Sequence, residues 1–341
     1  MIPTKKARRA VALLAVPALL LTAACGGDNS DDDAGSSDAA VSFPLATVSG
    51  SFGEEPDIEV EDDAEESEET VVTVLEEGDG PEVGEGDFMR LSVFASGLDE
   101  DEALVNTWQP ITPPVEEGAE EEPAEEEDRE PVYAAVQAGT EEILPLSVTD
   151  PLTGMAEGSR VVVQGSALEL IGPQADQLGF GPGDSVVFVY DIVTVIDAQG
   201  SAEGEQAASE EGMPEVEAGE AESAGITIPE GADAPTELQQ QVLVQGDGPE
   251  VAAEQQLIAQ YTGVTWEDGE EFDASWDRGG AAKFVIGVGQ VVPGWDEALV
   301  GKNVGDRVLL VLPPDMAYGG QEDHELAENT LVFVVDILDA I

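Results

Sequence analysis

The 341-residue chain has few of the groups that most often carry catalysis or cross-linking. It holds one cysteine, Cys25, and one histidine, His324. A single thiol cannot close an intrachain disulfide, so core packing alone must hold the fold. Lys and Arg number 11 against 75 Asp and Glu, a formal net charge of −64. Nucleic acid is excluded as a partner, because phosphate binding needs clustered cations. The many carboxylates show no compact ligand spacing of the EF-hand type, so neither a metal nor a cofactor is expected. His324 lies in a Gly- and acid-rich stretch and reads as an exposed loop residue, not as a catalyst or ligand. The acidic runs at 31–33, 116–130 and 203–222 read as solvated spacers, too polar to offset the entropy of ordering. An acidic surface on the remainder points to a salt-rich or cation-rich exterior.

The amino terminus has the order of charge, apolar core and small residues that makes a secretory signal peptide. Lys5, Lys6, Arg8 and Arg9 precede an apolar run over 10–21, and Thr22-Ala23-Ala24 lead into Cys25. A cleavage site ending on a cysteine resembles the lipobox of bacterial lipoproteins, where the thiol is lipidated; Thr22 departs from the leucine usual there. The expectation is a signal peptide over 1–24, a lipid anchor at Cys25, a disordered tether over 25–45 and an extracytoplasmic location at the membrane. An ordinary secreted protein is the alternative.

What the chain does have is a repeat. Gly78-Asp79-Gly80-Pro81-Glu82-Val83 returns as Gly246-Asp247-Gly248-Pro249-Glu250-Val251, and Val187-Phe188-Val189-Tyr190-Asp191-Ile192 returns as Val332-Phe333-Val334-Val335-Asp336-Ile337. Between them, Leu152-Thr153-Gly154 and Gly158-Ser159-Arg160 return as Leu299-Val300-Gly301 and Gly305-Asp306-Arg307. Three matches in one order imply duplication. In the second copy, short branched runs at 242–244, 257–261, 284–286, 307–312 and 331–338 read as strands. Residues 294–300 read as the one helix, with acids in its first turn and Trp295 and Leu299 on one face. Five or so strands and a short helix give an α+β domain, an antiparallel sheet with a helix across it. The expected division is a first domain over 46–197 with an acidic insertion at about 109–131, a flexible linker over 198–225 and a second domain over 226–341.

The second copy carries a set of ordered motifs. These are Tyr261-Thr262-Gly263, Asp268-Gly269, Phe272-Asp273, Val291-Val292-Pro293-Gly294-Trp295, Gly305 to Arg307, Pro314-Asp315-Met316-Ala317-Tyr318-Gly319 and Thr330-Leu331-Val332-Phe333. Together they resemble the FKBP-type peptidyl-prolyl isomerases, here in a bacterial, actinobacterial-like lipoprotein with two FKBP-like domains. The resemblance implies a twisted antiparallel sheet wrapped around a short helix in each copy, the first copy degenerate. It implies a proline pocket with Trp295 as its floor and Tyr261, Phe272, Val291, Val292 and Phe333 as walls. Val292 N–H and the Tyr318 hydroxyl would donate to substrate carbonyls, Asp273 would stand near the twisting carbonyl carbon, oriented by Tyr261 and Arg278, and Leu326 would join the substrate-binding set. Catalysis is assigned to Asp273, Tyr318, Tyr261, Phe272 and Trp295.

Two departures bear on this. Ala281-Ala282 stand where the family has an aromatic before Lys283-Phe284, which thins one wall, and the loop from Gly320 to Leu326 lacks an Ile-Pro-Pro tip. In the first copy, Ala95-Ser96-Gly97 align with Tyr261-Thr262-Gly263, the Phe-Asp pair falls near Val105-Asn106, and Val148 and Ile171 replace Trp295 and Tyr318. The reading is a monomeric isomerase that assists folding of exported, proline-containing clients. The alternative is a non-catalytic chaperone or docking lipoprotein on the same scaffold.

Overall fold

A computed structural model describes residues 41–42, 46–60, 70–97, 103–109, 132–141, 144–218, 221–321 and 323–341. The signal peptide, Cys25, most of the tether and nearly all of the acidic insertion lie outside the described residues. Those described fall into two compact units, one running to Val195 and one from Ile196 to Ile341, with residues 86–88 grouped in the second.

In the first unit, β1 (Val41–Ser42), β2 (Ala46–Ser49) and β3 (Asp57–Val60) form a small antiparallel sheet. The main sheet runs β4 (Val71–Glu76), β8 (Arg160–Ser166), β9 (Ser185–Ile196), β5 (Phe88–Gly97) and β6 (Ala103–Asn106), with β7 (Ala134–Gln137) also on β5. Short helices α1 (Leu146–Thr149) and α2 (Ala167–Leu170) complete it.

The second unit repeats that order. After the small hairpin β10 (Glu215–Glu217) and β11 (Gly225–Thr227), its sheet runs β12 (Gln239–Val244), β16 (Arg307–Leu312), β17 (Leu331–Ala340), β13 (Gln256–Thr265) and β14 (Glu271–Ala274), with β15 (Ala282–Val285) also on β13. Its helix is α3 (Pro293–Leu299). The α+β class expected from the pattern is what forms.

The duplication extends to single hydrogen bonds. Gly80 N donates to Glu157 O and Gly248 N to Val304 O, at 3.2 and 3.1 Å. Val83 N donates to Met155 O and Val251 N to Lys302 O, at 2.8 and 2.7 Å. Close approach of the two chain segments explains the first glycine of each repeated motif. A Cβ on Gly78 would lie 2.0 Å from Glu157 O, and one on Gly246 would lie 2.3 Å from Val304 O.

Both faces of the second sheet are covered, which is why its central strands read as continuous apolar runs instead of alternating ones. Leu257, Ala259 and Tyr261 of β13, Val308, Leu310 and Leu312 of β16, and Leu331, Phe333 and Val335 of β17 pack with Trp295, Ala298 and Leu299 of α3. The opposite face, with Leu243, Val264, Leu309, Val311, Val332 and Val334, buries Met213, Val216 and Trp266.

Met213 and Val216 belong to the stretch expected to be a flexible linker, so that expectation is corrected: residues 198–218 and 221–225 are packed on the sheet as a strap. Ala202 N donates to Asp336 Oδ2 at 2.9 Å, Ala207 N to Leu243 O at 2.7 Å, and Ala224 N to Thr262 Oγ1 at 3.0 Å. The boundary placed at 226 also falls inside the β10–β11 hairpin, where Val216 pairs with Ile226. Sparse apolar residues suffice here because each enters a surface the sheet has already made apolar.

Strand pairing corrects the alignment of the first copy. The register shift in β5–β6 follows Ala95, and that in β13–β14 follows Gly263. Tyr261 therefore corresponds to Val93, and Phe272-Asp273 to Leu104-Val105, two and one residues from the positions expected from sequence. The hydrogen bonds follow the same register: Val93 N bonds Thr107 Oγ1 at 2.8 Å as Tyr261 N bonds Ser275 Oγ at 2.9 Å.

Candidate active site

Helix α3 opens with Val292 in an extended conformation at the N-cap and Pro293 at the first turn, where a missing N–H costs nothing. Trp295 N returns a bond to Val292 O at 2.9 Å. Asp296 then ties down the preceding loop, its Oδ1 accepting from Gly287 N at 2.6 Å and its Oδ2 from Gly289 N at 2.7 Å. This carboxylate holds the segment that carries Val291 and Val292. Sequence reading assigned it only to the helix dipole.

Trp295 is the hub of an aromatic cluster. Its ring meets Tyr261, Phe284 and Phe333 edge to face at 5.4, 5.2 and 5.4 Å, and Phe272 meets Phe333 at 5.5 Å. Perpendicular contacts of this kind add to area burial by matching ring edges to ring faces. Tyr261, Trp295 and Phe333 are buried, while Phe272, Val291, Val292, Tyr318 and Leu326 pack against them half-exposed and form the rim. Beside the small Ala281-Ala282, Phe284 of the Lys-Phe pair touches both Trp295 and Tyr261.

The polar groups sit at that rim. Tyr261 Oη donates to Asp273 Oδ2 at 2.8 Å, Arg278 donates to Tyr261 Oη at 3.1 Å, and Arg278 also pairs with Asp273 Oδ1. Asp273 is thus held by a hydroxyl on one oxygen and a guanidinium on the other. Burial, followed by the hydrogen bond to Asp273, pushes the Tyr261 phenol well above its ordinary range. Tyr318 is raised too, by burial first and then by the Asp273 charge. Both hydroxyls stay protonated at neutral pH.

His324 lies in a loop, as expected, but is half-covered there, not fully exposed. Its ring stacks on Tyr318 at 3.9 Å between centroids, and its Nδ1 accepts from Leu326 N at 3.2 Å. The lone histidine therefore braces Tyr318 and the loop that follows. All ten residues named for the pocket on β13, β14, α3, β17 and the intervening loops fall in this one region; Cys25 lies outside the described residues.

A separate cleft of about 470 Å³ is lined by Ser201, Gly246, Gly248, Val304 and Leu338 among others and shares no residue with the aromatic cluster. Among the described residues, no group of three or more His, Cys, Asp or Glu side chains could hold a metal ion. No helix among them is long and apolar enough to cross a membrane.

In the first unit the same places are apolar. Val93, Val148, Ile171 and Phe188 are buried in its core, with Leu104 and Val105 packed against them. Val148 N bonds Pro145 O at 3.0 Å just as Trp295 N bonds Val292 O, so the pairing of Val148 with Trp295 is one of structure as well as sequence.

A family profile described as FKBP-type peptidyl-prolyl cis-trans isomerase matches residues 248–338. The FK506-binding protein of Streptomyces anulatus is 41% identical over 111 residues, 32% of this chain and 90% of that protein. The probable FK506-binding protein of Corynebacterium glutamicum is 39% identical over 116 residues, 34% of this chain and 96% of that protein. Among solved structures, FkpA from Escherichia coli is 35% identical, with a match covering 33% of this chain and 52% of that one at a TM-score of 0.29. The profile match spans every residue from Tyr261 to Phe333 that the fold gathers around Trp295, and with these relatives it assigns the chain to the FKBP-type peptidyl-prolyl cis-trans isomerases.

Proposed function

We propose that isomerisation takes place at the rim of the Trp295 cluster, and that the protein works outside the cytoplasm, anchored through Cys25, on exported proline-containing chains. An X-Pro amide rotates over a barrier of about 18–20 kcal/mol because resonance is lost at the twisted geometry. No nucleophile, metal or cofactor is needed to lower it. Removing water from the amide weakens the charge-separated resonance form, and binding the twisted state better than either planar one lowers the barrier further. Acceleration of roughly 10⁴-fold requires about 5–6 kcal/mol of such differential binding.

In this reading the proline ring enters over Trp295 between Phe272, Val291, Val292 and Phe333. Val292 N–H and Tyr318 O–H donate to flanking substrate carbonyls, and Asp273 faces the twisting carbonyl carbon. The observation that carries the reading is the convergence of Asp273, Tyr261 and Arg278 at the mouth of an aromatic cluster. A groove that merely held peptide would have no use for a carboxylate fixed on both oxygens.

The test is a proline-isomerisation assay on the full chain beside Asp273→Asn and Tyr318→Phe. The expected result is turnover in the parent and a loss of tenfold or more in kcat/KM for Asp273→Asn. Parent-like rates in both variants would sink this account of the site. Variants that bind proline peptides normally while the parent itself shows no turnover would favour the docking alternative.

A further inference from the structure

We infer that Gln260 and Ser275, anchored on the backbone carbonyl of Ala198 in the strap, are positioning residues for the Asp273–Tyr261–Arg278 group; this rests on the site reading given above. Ser275 follows β14 directly and is fully buried. Its N–H donates to Tyr261 O at 3.0 Å and its Oγ accepts from Tyr261 N at 2.9 Å. The hydroxyl thus stands in for the next carbonyl of the ladder and fixes both backbone groups of Tyr261.

The same residue fixes the other end of the group. Ser275 O accepts from Arg278 N at 2.9 Å and from Gly280 N at 3.2 Å, closing the turn that carries Arg278. The Arg278 side chain is 63% exposed, so its reach to Tyr261 and Asp273 is set by where that turn holds its Cα.

Gln260 extends the chain of bonds to the strap. Its Oε1 accepts from the Ser275 hydroxyl and its Nε2 donates to Ala198 O at 2.7 Å; the side chain is 1% exposed, so water does not compete. Ala198 O also accepts from Ala281 N at 2.8 Å, and Gln199 Nε2 donates to Gly279 O at 2.7 Å. The root of the strap therefore grips the 275–281 turn from both sides. In the first unit Thr107 reproduces the hydroxyl bracket on Val93, but the position of Gln260 is held by Ser92, which is too short for such a reach. The bracket belongs to the fold; the link to the strap belongs to the unit with the ionisable group.

The test is a double-mutant cycle on the full chain, with Gln260→Leu, Ser275→Ala and Ser275→Thr made in both the parent and the Asp273→Asn background, reading kcat and KM separately. Gln260→Leu and Ser275→Ala are expected to lower kcat about tenfold in the parent, with KM within about twofold, because small displacements of a reacting geometry are costly. Ser275→Thr is expected to recover most of the loss, as Thr107 makes the same bond. In the Asp273→Asn background the further loss is expected to be under about twofold, since the network acts through that carboxylate. An equal fold-loss in both backgrounds would overturn the inference while leaving the site reading intact. Parent-like kcat in Asp273→Asn alone would overturn both. If Ser275→Ala fails to fold, Gln260→Leu carries the cycle.

Discussion

Gly263 lies beneath the point where Phe272 and Phe333 meet. A Cβ there would stand 2.7 Å from Phe272 Cζ and 2.8 Å from Phe333 Cε1, both inside contact distance. Because the rings already meet edge to face, neither can yield without opening the cluster. Gly263→Ala is expected to cost about 1–3 kcal/mol in denaturant unfolding and to lower kcat/KM; an unchanged midpoint would show that the rings are loosely held. The tyrosines make a second prediction. Tyr190 is raised by burial, and Tyr261 and Tyr318 by burial and then by Asp273, all above the ordinary value of 10.0. The native state then holds protons that the unfolded chain releases near pH 10, so their contribution to stability is full below about pH 10 and falls as pH rises beyond it. Unfolding free energies at about pH 8 and about pH 11 should show that decline, while kcat/KM stays flat to about pH 10 because Tyr318 remains a donor. Residues whose chemistry is in the side chain, such as Trp295, Asp273 and Tyr318, were legible in sequence. Phe284 and His324 were not, because strand register and a loop turn decide what their rings touch.

The strap is the element that sequence concealed. Its acidic composition hides a few anchors, Met213 and Val216 above all, whose value depends on a sheet face formed by residues far along the chain. The strap also meets a buried ion pair. Arg307 bonds Asp336 through both Nε and Nη2 at 2.6 Å, and its Nη1 donates to Gln206 Oε1 at 3.0 Å, while Ala202 N completes Asp336 Oδ2. The first unit has the same clasp: Arg160 and Asp191 pair at 2.6 Å, Gly53 N donates to Asp191 Oδ2, and Arg160 Nη1 donates to Gly50 O at 2.8 Å. Each copy thus uses its Arg–Asp pair to hold the segment that precedes its sheet, which makes the duplicated module longer than the repeated motifs. A fragment starting at 226 loses the Ala202 and Gln206 partners and bares the face under Met213 and Val216. Burial of such side chains is worth about 1.5–3 kcal/mol each, and a buried charge left without its hydrogen bonds adds to the loss. Residues 226–341 are therefore expected to unfold about 3–6 kcal/mol more easily than residues 196–341. Coincident denaturation curves for the two fragments would show that the strap is dispensable.

At the scale of the molecule, charge and duplication act separately. A net charge of −64 makes self-repulsion a cost on every compact state, and mobile ions screen it. The thermal midpoint of the full chain is expected to rise between about 0.05 and about 1 M salt, and a flat response would remove charge from the stability argument. Duplication raises a different question, which is whether both copies turn over substrate. The two sheets share their strand order, their loop hydrogen bonds and their Arg–Asp clasps, so the scaffold itself does not distinguish them. What differs is the filling: Val105 stands for Asp273, Ile171 for Tyr318 and Val148 for Trp295, and each apolar replacement packs into its own core. Converting the second copy to the first is thus a direct test. In the full chain, Asp273→Val with Tyr318→Ile removes the carboxylate and the hydroxyl donor from the rim while leaving the Trp295 cluster in place. If isomerisation resides in the second unit, the rate should fall at least about 10²-fold, toward the uncatalysed value, with the folded signal retained. Substantial catalysis surviving in the folded double variant would mean that the amide is twisted without this carboxylate and hydroxyl, by desolvation over apolar walls alone.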